Sequence, residues 1–266
     1  MRLGLHDLRR LAGERKLATL TSYEASLSSV IDRAGVDIIL VGDSLGMVIQ
    51  GHDSTLPVSI HDMVYHTRAV VRGSARAFIV ADMPFGSYQS SHAQALDNAV
   101  LLMQAGAQMV KLEGGTQMAE TVSFLVQRGI PVCGHIGLTP QHVHAFGGFR
   151  VQGRGDAAAS VLEAARAIEA AGAAMTVIEG VPEALATRIC EQSGNLTIGI
   201  GASAACHGQV LVIHDLLGIS QGKRPRFVKN FLDGSPGQQT VEQAILAYVA
   251  AVQHGRFPGP EHTYSD

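Results

Sequence analysis

The chain has 266 residues and a formal net charge of −3 from 20 basic and 23 acidic side chains. This near-balance, without a long run of one sign, argues against nucleic acid or an anionic membrane as partner. No apolar run reaches the length that crosses a bilayer.

The amino terminus, Met1-Arg2-Leu3-Gly4-Leu5-His6-Asp7, lacks the apolar core of a secretory leader. Cys133, Cys190 and Cys206 are odd in number and widely spaced, with no CxxC pair. They read as reduced thiols of a cytoplasmic protein, not as a disulfide framework or a zinc site. A first apolar strand is expected over residues 17–23. An Ala34-Gly35 bend then opens a second, 37–43, that ends in Asp43. A helix over 61–72 leads to strand 78–84, which carries Asp82 without an opening bend. A helix over 92–105 ends in Ala105-Gly106, ahead of strand 109–114 with Glu113. Helix 116–128, strand 131–137 and helix 156–171 follow. Ala171-Gly172 opens strand 175–180 with Glu179. Helix 183–192, strand 196–201 and strand 209–215 complete the series. Each Ala-Gly bend reads as the glycine cap of a helix C-terminus.

Eight short apolar strands alternating with helices predict an α/β fold, a closed (β/α)8 TIM barrel, as one catalytic domain over residues 1–266. About 250 residues is typical of that architecture. The connection 202–208 is too short for a full helix. Beyond strand eight, a strongly apolar helical extension over 241–253 is expected to cover the barrel or an adjacent subunit.

Acids at the C-terminal ends of parallel barrel strands share one rim, where such folds do their chemistry. Converging there, they would repel one another unless a cation or shared proton offsets the charge. Asp43, Asp82 and Glu113 are hard oxygen donors without nitrogen or sulfur beside them, a set suited to Mg²⁺. The alternative is that each acid merely caps the helix that follows. Lys111 stands two residues before Glu113, so both point to the same side of the strand. A lysine buried there either fills the core as an ion pair or holds an anionic substrate. Ser44, next to Asp43, offers a hydroxyl and a backbone N–H to the same anion. Glu179, flanked by Val177-Ile178 and Val181-Pro182, is expected to have a raised pKa suited to a general base. His135 either polarises a substrate oxygen or satisfies a buried carbonyl. His52, His66, His142 and His144 are read as solvated. The Gly/Arg-rich loop 146–155 looks like a lid or an anion clamp.

Several long motifs then become specific. Val41-Gly42-Asp43-Ser44-Leu45-Gly46-Met47, Gly51-His52-Asp53-Ser54-Thr55-Leu56-Pro57 and Ala81-Asp82-Met83-Pro84-Phe85-Gly86-Ser87-Tyr88 closely resemble the ketopantoate hydroxymethyltransferase family. So do Val110-Lys111-Leu112-Glu113-Gly114-Gly115, Gly134-His135-Ile136-Gly137-Leu138-Thr139-Pro140-Gln141 and Gly199-Ile200-Gly201-Ala202. The resemblance runs from about Thr21 to Asp215 and more weakly to the end. It implies hydroxymethyl transfer from 5,10-methylenetetrahydrofolate to 3-methyl-2-oxobutanoate, giving 2-dehydropantoate on the way to pantothenate and coenzyme A. It further implies that Asp43, Asp82 and Glu113 serve the Mg²⁺ site and that Asp43, Ser44, Asp82 and Lys111 hold the oxo acid. Glu179 would be the proton acceptor, in a cytoplasmic homo-oligomer that is a decamer in several members. Two positions depart from the family: Ser203 stands where a glycine is usual, and His207 where an aspartate is usual. Two other readings are a Mg²⁺-dependent oxo-acid lyase or phosphonate mutase, and a catalytically silent barrel.

Overall fold

The computed structural model describes residues 1–222, 224–233 and 240–266. Helix α1 (Leu5–Glu14) precedes the barrel, and β1 (Leu17–Thr21), α2 (Ala25–Arg33) and β2 (Ile38–Val41) begin it. A short α3 (Leu45–Val48) and a longer α4 (Ile60–Gly73) lead to β3 (Phe78–Asp82), α5 (His92–Gln104) and β4 (Met109–Glu113). The series continues with α6 (Ala119–Val126), β5 (Val132–Gly137), α7 (Ala158–Ala170), β6 (Met175–Glu179) and α8 (Glu183–Gln192). Then come β7 (Leu196–Ile200), β8 (Gly208–Leu211), the short α9 (Ile213–Leu216) and α10 (Val241–Gln253). The strands close into a barrel in the order β1 to β8, with β8 pairing parallel to β1.

The strands are apolar throughout because both faces are covered, by the outer helices and by side chains that fill the barrel. Thr19, Leu40, Val80, Cys133, Val177 and Val210 line that interior, and Lys111 is the one charged side chain among the lining residues. The three Ala-Gly bends are helix ends, as expected. Ala34, Ala105 and Ala171 are the C-caps of α2, α5 and α7, and the glycine after each has positive φ: 85°, 106° and 97°. At Gly172 a Cβ would also meet Val126 at 3.0 Å.

The structure adds elements that the apolar pattern did not mark. Helix α1 packs on β1 through the stripe Leu5, Leu8 and Leu11. Helix α2 is Ser-rich and a poor intrinsic helix former; the Glu24 carboxylate caps it, and α4 and α10 pack on it. Strand eight is shorter than expected. Val212 turns the chain into α9, and the Ile213 N–H bonds to Thr21 Oγ1 at 2.9 Å. The connection from β7 to β8 has no helix among its described residues. Helix α10 takes the outer position against β1. Its buried Tyr248 holds the closing seam, the phenol lying 2.9 Å from both Thr19 O and Gln209 O.

Below the barrel, at the amino-terminal ends of the strands, Asp37 is fully buried. The Arg15 guanidinium grips it with two bonds of 2.7 and 2.8 Å, and Arg76 adds one of 3.0 Å. The Ala18 N–H donates to the same carboxylate. These contacts tie β1, β2 and the entry to β3, far from the opposite rim. Replacing Asp37 by Asn leaves two guanidinium groups without their counter-charge. The expected loss is about 2–4 kcal/mol, reduced from a fully buried pair because both arginines reach solvent. Thermal denaturation should show a drop in Tm of about 5–15 °C, with kcat nearly unchanged.

Candidate active site

The acids of the carboxyl-terminal rim sit where strand periodicity puts them. Asp82, Glu113 and Glu179 are the last residues of β3, β4 and β6, and Asp43 lies two residues past β2. Register brings Asp82 beside Lys111 and Glu113 beside His135. Helix capping does not account for the acids. The N-caps of α3, α5 and α8 are Ser44, Ser91 and Pro182, and Gly115 precedes the turn after β4.

Lys111 and Asp82 form the centre. The ammonium lies 2.8 Å from Asp82 Oδ1, with both side chains buried. That oxygen is buried, and the ammonium is its one close polar contact. The other Asp82 oxygen accepts from the Asp43 N–H at 3.0 Å. Burial lowers the Lys111 pKa, but Asp82, Glu113 and Asp43 outweigh it and hold the amine as ammonium. Asp43 shows the opposite balance. Burial, then repulsion from Asp82 and Glu113, pushes its pKa well above the carboxylate range. The acids are therefore more than one lysine can neutralise.

His135 joins this cluster to Glu179. Its Nδ1 lies 3.3 Å from Glu113 Oε1 and 3.4 Å from Lys111 Nζ, and its Nε2 lies 3.2 Å from Glu179 Oε2. Burial and Lys111 lower its pKa, but Glu113 and Glu179 more than compensate, and the net value rises to about 9. An imidazolium between two carboxylates is the result. The ring bridges two carboxylates and does not satisfy a lone buried carbonyl. Glu179 is correspondingly not in the apolar setting its neighbours suggested, since His135 faces it and its side chain is 14% exposed.

Three residues that sequence reasoning missed complete the site. Gln141 is buried at the turn after β5 and holds two of the acids apart. Its side-chain amide donates to Asp43 Oδ2 at 2.8 Å and to Met83 O at 2.9 Å, while its backbone N–H donates to Glu113 Oε2 at 2.9 Å. Tyr88 donates to Gln141 Oε1 at 2.6 Å and accepts from the Glu113 N–H at 3.0 Å. Tyr23, past the end of β1, lies 2.8 Å from Ser44 Oγ and fixes that hydroxyl. Each is an uncharged polar residue in the connection that follows a strand, and only its place in the family motifs or after a strand marked it. His66 and His142 are half-buried with partners, not solvated: their Nδ1 atoms lie 2.6 Å from Tyr23 O and 2.9 Å from Thr139 Oγ1. His52 and His144 are exposed.

The loop over 146–155 is tethered above Glu179 by Gln152 N–H donating to Gly180 O at 2.9 Å. A tail residue, Tyr264, bridges to Pro182 and accepts from the Glu183 N–H at 2.8 Å on the same side. The family departures lie elsewhere. Ser203 bonds Thr187 of α8, and His207 bonds Thr197 near the start of β7.

For a divalent cation the donor set fits in charge and hardness. Four carboxylates face Lys111 and His135, and Asp82 Oδ1 is a buried oxygen whose one close polar contact is the Lys111 ammonium. Among the described residues, no three His, Cys, Asp or Glu side chains are arranged as a ready cage. Both Glu113 oxygens are taken, by His135 and by the Gln141 N–H. Asp43 and Asp82 are the acids that could hold such an ion directly, which would suit one that keeps several waters.

A closed parallel barrel with a buried lysine and acids on its carboxyl-terminal rim defines an α/β-barrel enzyme for a small anionic substrate. The model of one such family, ketopantoate hydroxymethyltransferase, matches residues 2–260, and the chain belongs to that family. The 3-methyl-2-oxobutanoate hydroxymethyltransferase of Dechloromonas aromatica (strain RCB) is 58% identical over 267 residues, covering 99% of this chain and 97% of its own length. That of Methylobacillus flagellatus is 60% identical over 250 residues, covering 94% of each chain. Among solved structures, 2,3-dimethylmalate lyase, a PEP mutase/isocitrate lyase superfamily member, aligns with a TM-score of 0.62 at 16% identity, covering 96% of this chain and 97% of that one. A phosphonopyruvate hydrolase complex with oxalate and Mg²⁺ aligns at 0.61 and 12% identity, covering 81% and 84%. These two share the barrel fold.

Gln141 gives a direct test of how the acids are positioned. Gln141→Leu keeps the volume but frees Asp43 from its donor. Divalent-cation affinity measured by calorimetry should fall about 10–100-fold, as when a partner that orients a ligand is lost. Unchanged affinity would remove Gln141 from the metal-site architecture.

Proposed function

We propose that this chain transfers a hydroxymethyl group from 5,10-methylenetetrahydrofolate to 3-methyl-2-oxobutanoate, giving 2-dehydropantoate on the path to pantothenate and coenzyme A. Transferase activity of this kind follows from family membership. The observation that carries the mechanism is the His135 imidazole spanning Lys111 and Glu179, 3.4 Å from one and 3.2 Å from the other. One small oxo acid can therefore meet an anion-holding ammonium and a proton acceptor on the same rim.

Lys111, with Ser44, holds the oxo-acid carboxylate, and Asp82 keeps the ammonium in place. Glu179 removes the proton from C3 of the oxo acid, and the imidazolium of His135 orients its carboxylate toward that carbon. The carbon nucleophile then attacks the methylene carbon of the folate as one of its two C–N bonds breaks. A water molecule takes the place of the second nitrogen on that carbon, which ends as a hydroxymethyl group as tetrahydrofolate leaves. Mg²⁺, held by Asp43 and Asp82 with Glu113 adding to the negative field, would stabilise negative charge developing on the substrate oxygen. The buried, hydrogen-bonded walls formed by Tyr88, Gln141 and Tyr23 keep bulk water from the cluster. We further read the protein as a cytoplasmic homo-oligomer, a decamer by resemblance to its family. Among the described residues, no helix is long and apolar enough to cross a membrane.

Product formation from 3-methyl-2-oxobutanoate should require both methylenetetrahydrofolate and a divalent cation. Exhaustive chelation should abolish it, and Mg²⁺ should restore it. Turnover of an oxo acid by cleavage, without folate, would favour a lyase instead.

Two substitutions separate base from ligand. Glu179→Gln should leave binding of Mg²⁺ and oxo acid intact while the rate falls about 10²–10⁴-fold. Asp82→Asn should weaken binding of both, because a coordinating carboxylate and the lysine's counter-ion are lost together. Calorimetric titration beside rate measurement distinguishes the pair, and the reverse pattern would exchange the assigned roles. Deuterium at C3 of the bound oxo acid should also exchange with water in wild-type enzyme and not in Glu179→Gln.

A further inference from the structure

The amino-terminal end of the barrel, away from the acids, holds a second cluster of reactive groups. Cys190 lies near the end of α8 and Cys206 at the end of the β7–β8 connection. They are 16 positions apart in sequence, and the fold brings their Sγ atoms to 3.2 Å. Both are free thiols. Sequence spacing alone had set them apart as unrelated cysteines.

Their surroundings suit thiol chemistry. Thr197 Oγ1 donates toward Cys190 Sγ at 3.4 Å. The Lys16 ammonium is anchored beside the pair, on Ala205 O at 2.8 Å and Cys206 O at 2.7 Å. His207, one of the departures from the family, takes the Thr197 N–H on its Nδ1 at 3.1 Å and so braces the same threonine. Behind the pair Gly199 leaves the needed room, since a Cβ there would lie 3.0 Å from Cys206 Sγ. Cys206 is fully buried and Cys190 only partly, so a small oxidant meets Cys190 first. The hydrogen bond from Cys206, then Thr197 and Lys16, lowers the Cys190 pKa against the effect of burial. Cys206, by contrast, is raised by its bond to Cys190 and by burial. A low-pKa attacking thiol next to a protonated resolving thiol is the arrangement found at redox-sensitive pairs. Cys133 differs. It lies inside the barrel, and burial pushes its thiol up to about 12.

We propose that Cys190 and Cys206 are a redox-modification site that closes to a disulfide on exposure to a hydroperoxide, stapling α8 to the β7–β8 connection. The Cys190 thiolate attacks the peroxide oxygen, the O–O bond breaks, and Cys190 becomes a sulfenic acid as water leaves. The Cys206 sulfur then attacks Cys190 Sγ, the S–O bond breaks, and a second water leaves with the Cys206 proton. In sum, two thiols are oxidised and one peroxide is reduced to two waters. A dithiol reductant reverses the step by exchange. The site is independent of the transfer chemistry, because α8 and β7 separate it from the rim that carries Glu179.

The test uses the full-length protein, exposed to hydrogen peroxide under non-reducing conditions. Trypsin cuts nowhere between Arg188 and Lys223, so one peptide carries both thiols, and a glutamate-specific protease then cuts after Glu191. In the oxidised protein the two halves should stay joined and together lack two hydrogens, and dithiothreitol should separate them. Free-thiol titration should fall from three to one, with Cys133 the survivor, and Tm should rise by about 5 °C or more. Cys190→Ser should abolish the cross-link and leave Cys206 reduced, with hydroxymethyl transfer unchanged. The proposal is overturned if peroxide carries Cys190 to sulfinic acid without a cross-link, joins two chains through Cys190, or leaves all three thiols free.

Discussion

Everything at the working end of this barrel depends on how closely packed negative charge is kept from repelling itself apart. Asp43, Asp82 and Glu113 converge within one buried layer, and a fourth acid, Glu179, stands at its edge. The ion pair between Lys111 and Asp82 is the fixed point. It holds the lysine as a cation at a depth where an unpaired ammonium would give up its proton. His135 offsets the side toward Glu179, and neutral donors from Gln141 satisfy the side toward Asp43. What remains is the mutual repulsion of Asp43 and Asp82, which pushes the Asp43 pKa up and which the proposed cation would relieve.

The arrangement also explains why the neighbouring residues are not interchangeable. Gln141 supplies a donor to each of two carboxylates and receives the Tyr88 hydroxyl in return, so its amide has little freedom to rotate. An acid there would add a fifth charge, and an alkyl group would leave two oxygens unmet. Tyr23 plays the matching part for Ser44. Within this cluster Asp82 Oδ1 and His135 Nε2 are met by charged partners, Lys111 and Glu179, so the buried polar groups of the site are compensated.

Much of this was legible in the residues themselves. The Ala-Gly bends announce helix ends because only glycine takes the positive φ that follows them cheaply. Strand alternation placed Lys111 and Glu113 on one side, and the register of β4 with β5 added His135. Other features were not readable along the chain. Gln141 and Tyr88 carry no charge and sit in turns, so their importance arises only when four strand ends meet. Helix α2 is held by capping and by neighbours, not by its Ser-rich composition. Cys190 and Cys206 looked unrelated because proximity in a barrel is set by which helix covers which strand. Ser203 and His207, the two departures from the family pattern, bond Thr187 of α8 and Thr197 of β7, not the acids or Lys111.

The seam of the barrel has a consequence for how the chain is made. Strands β1 and β8 are joined across the full length of the barrel sequence, and Tyr248 of α10 binds the backbone of both. On the ribosome, β1 therefore emerges more than two hundred residues ahead of the side chain that seals it. Until then one edge of the sheet stays open and its apolar outer face stays bare, the condition under which unfinished chains stick to one another. Translation beyond residue 253 is the step that ends this exposure, so yield of native protein in the cell should depend on chaperones that shelter a nearly complete barrel.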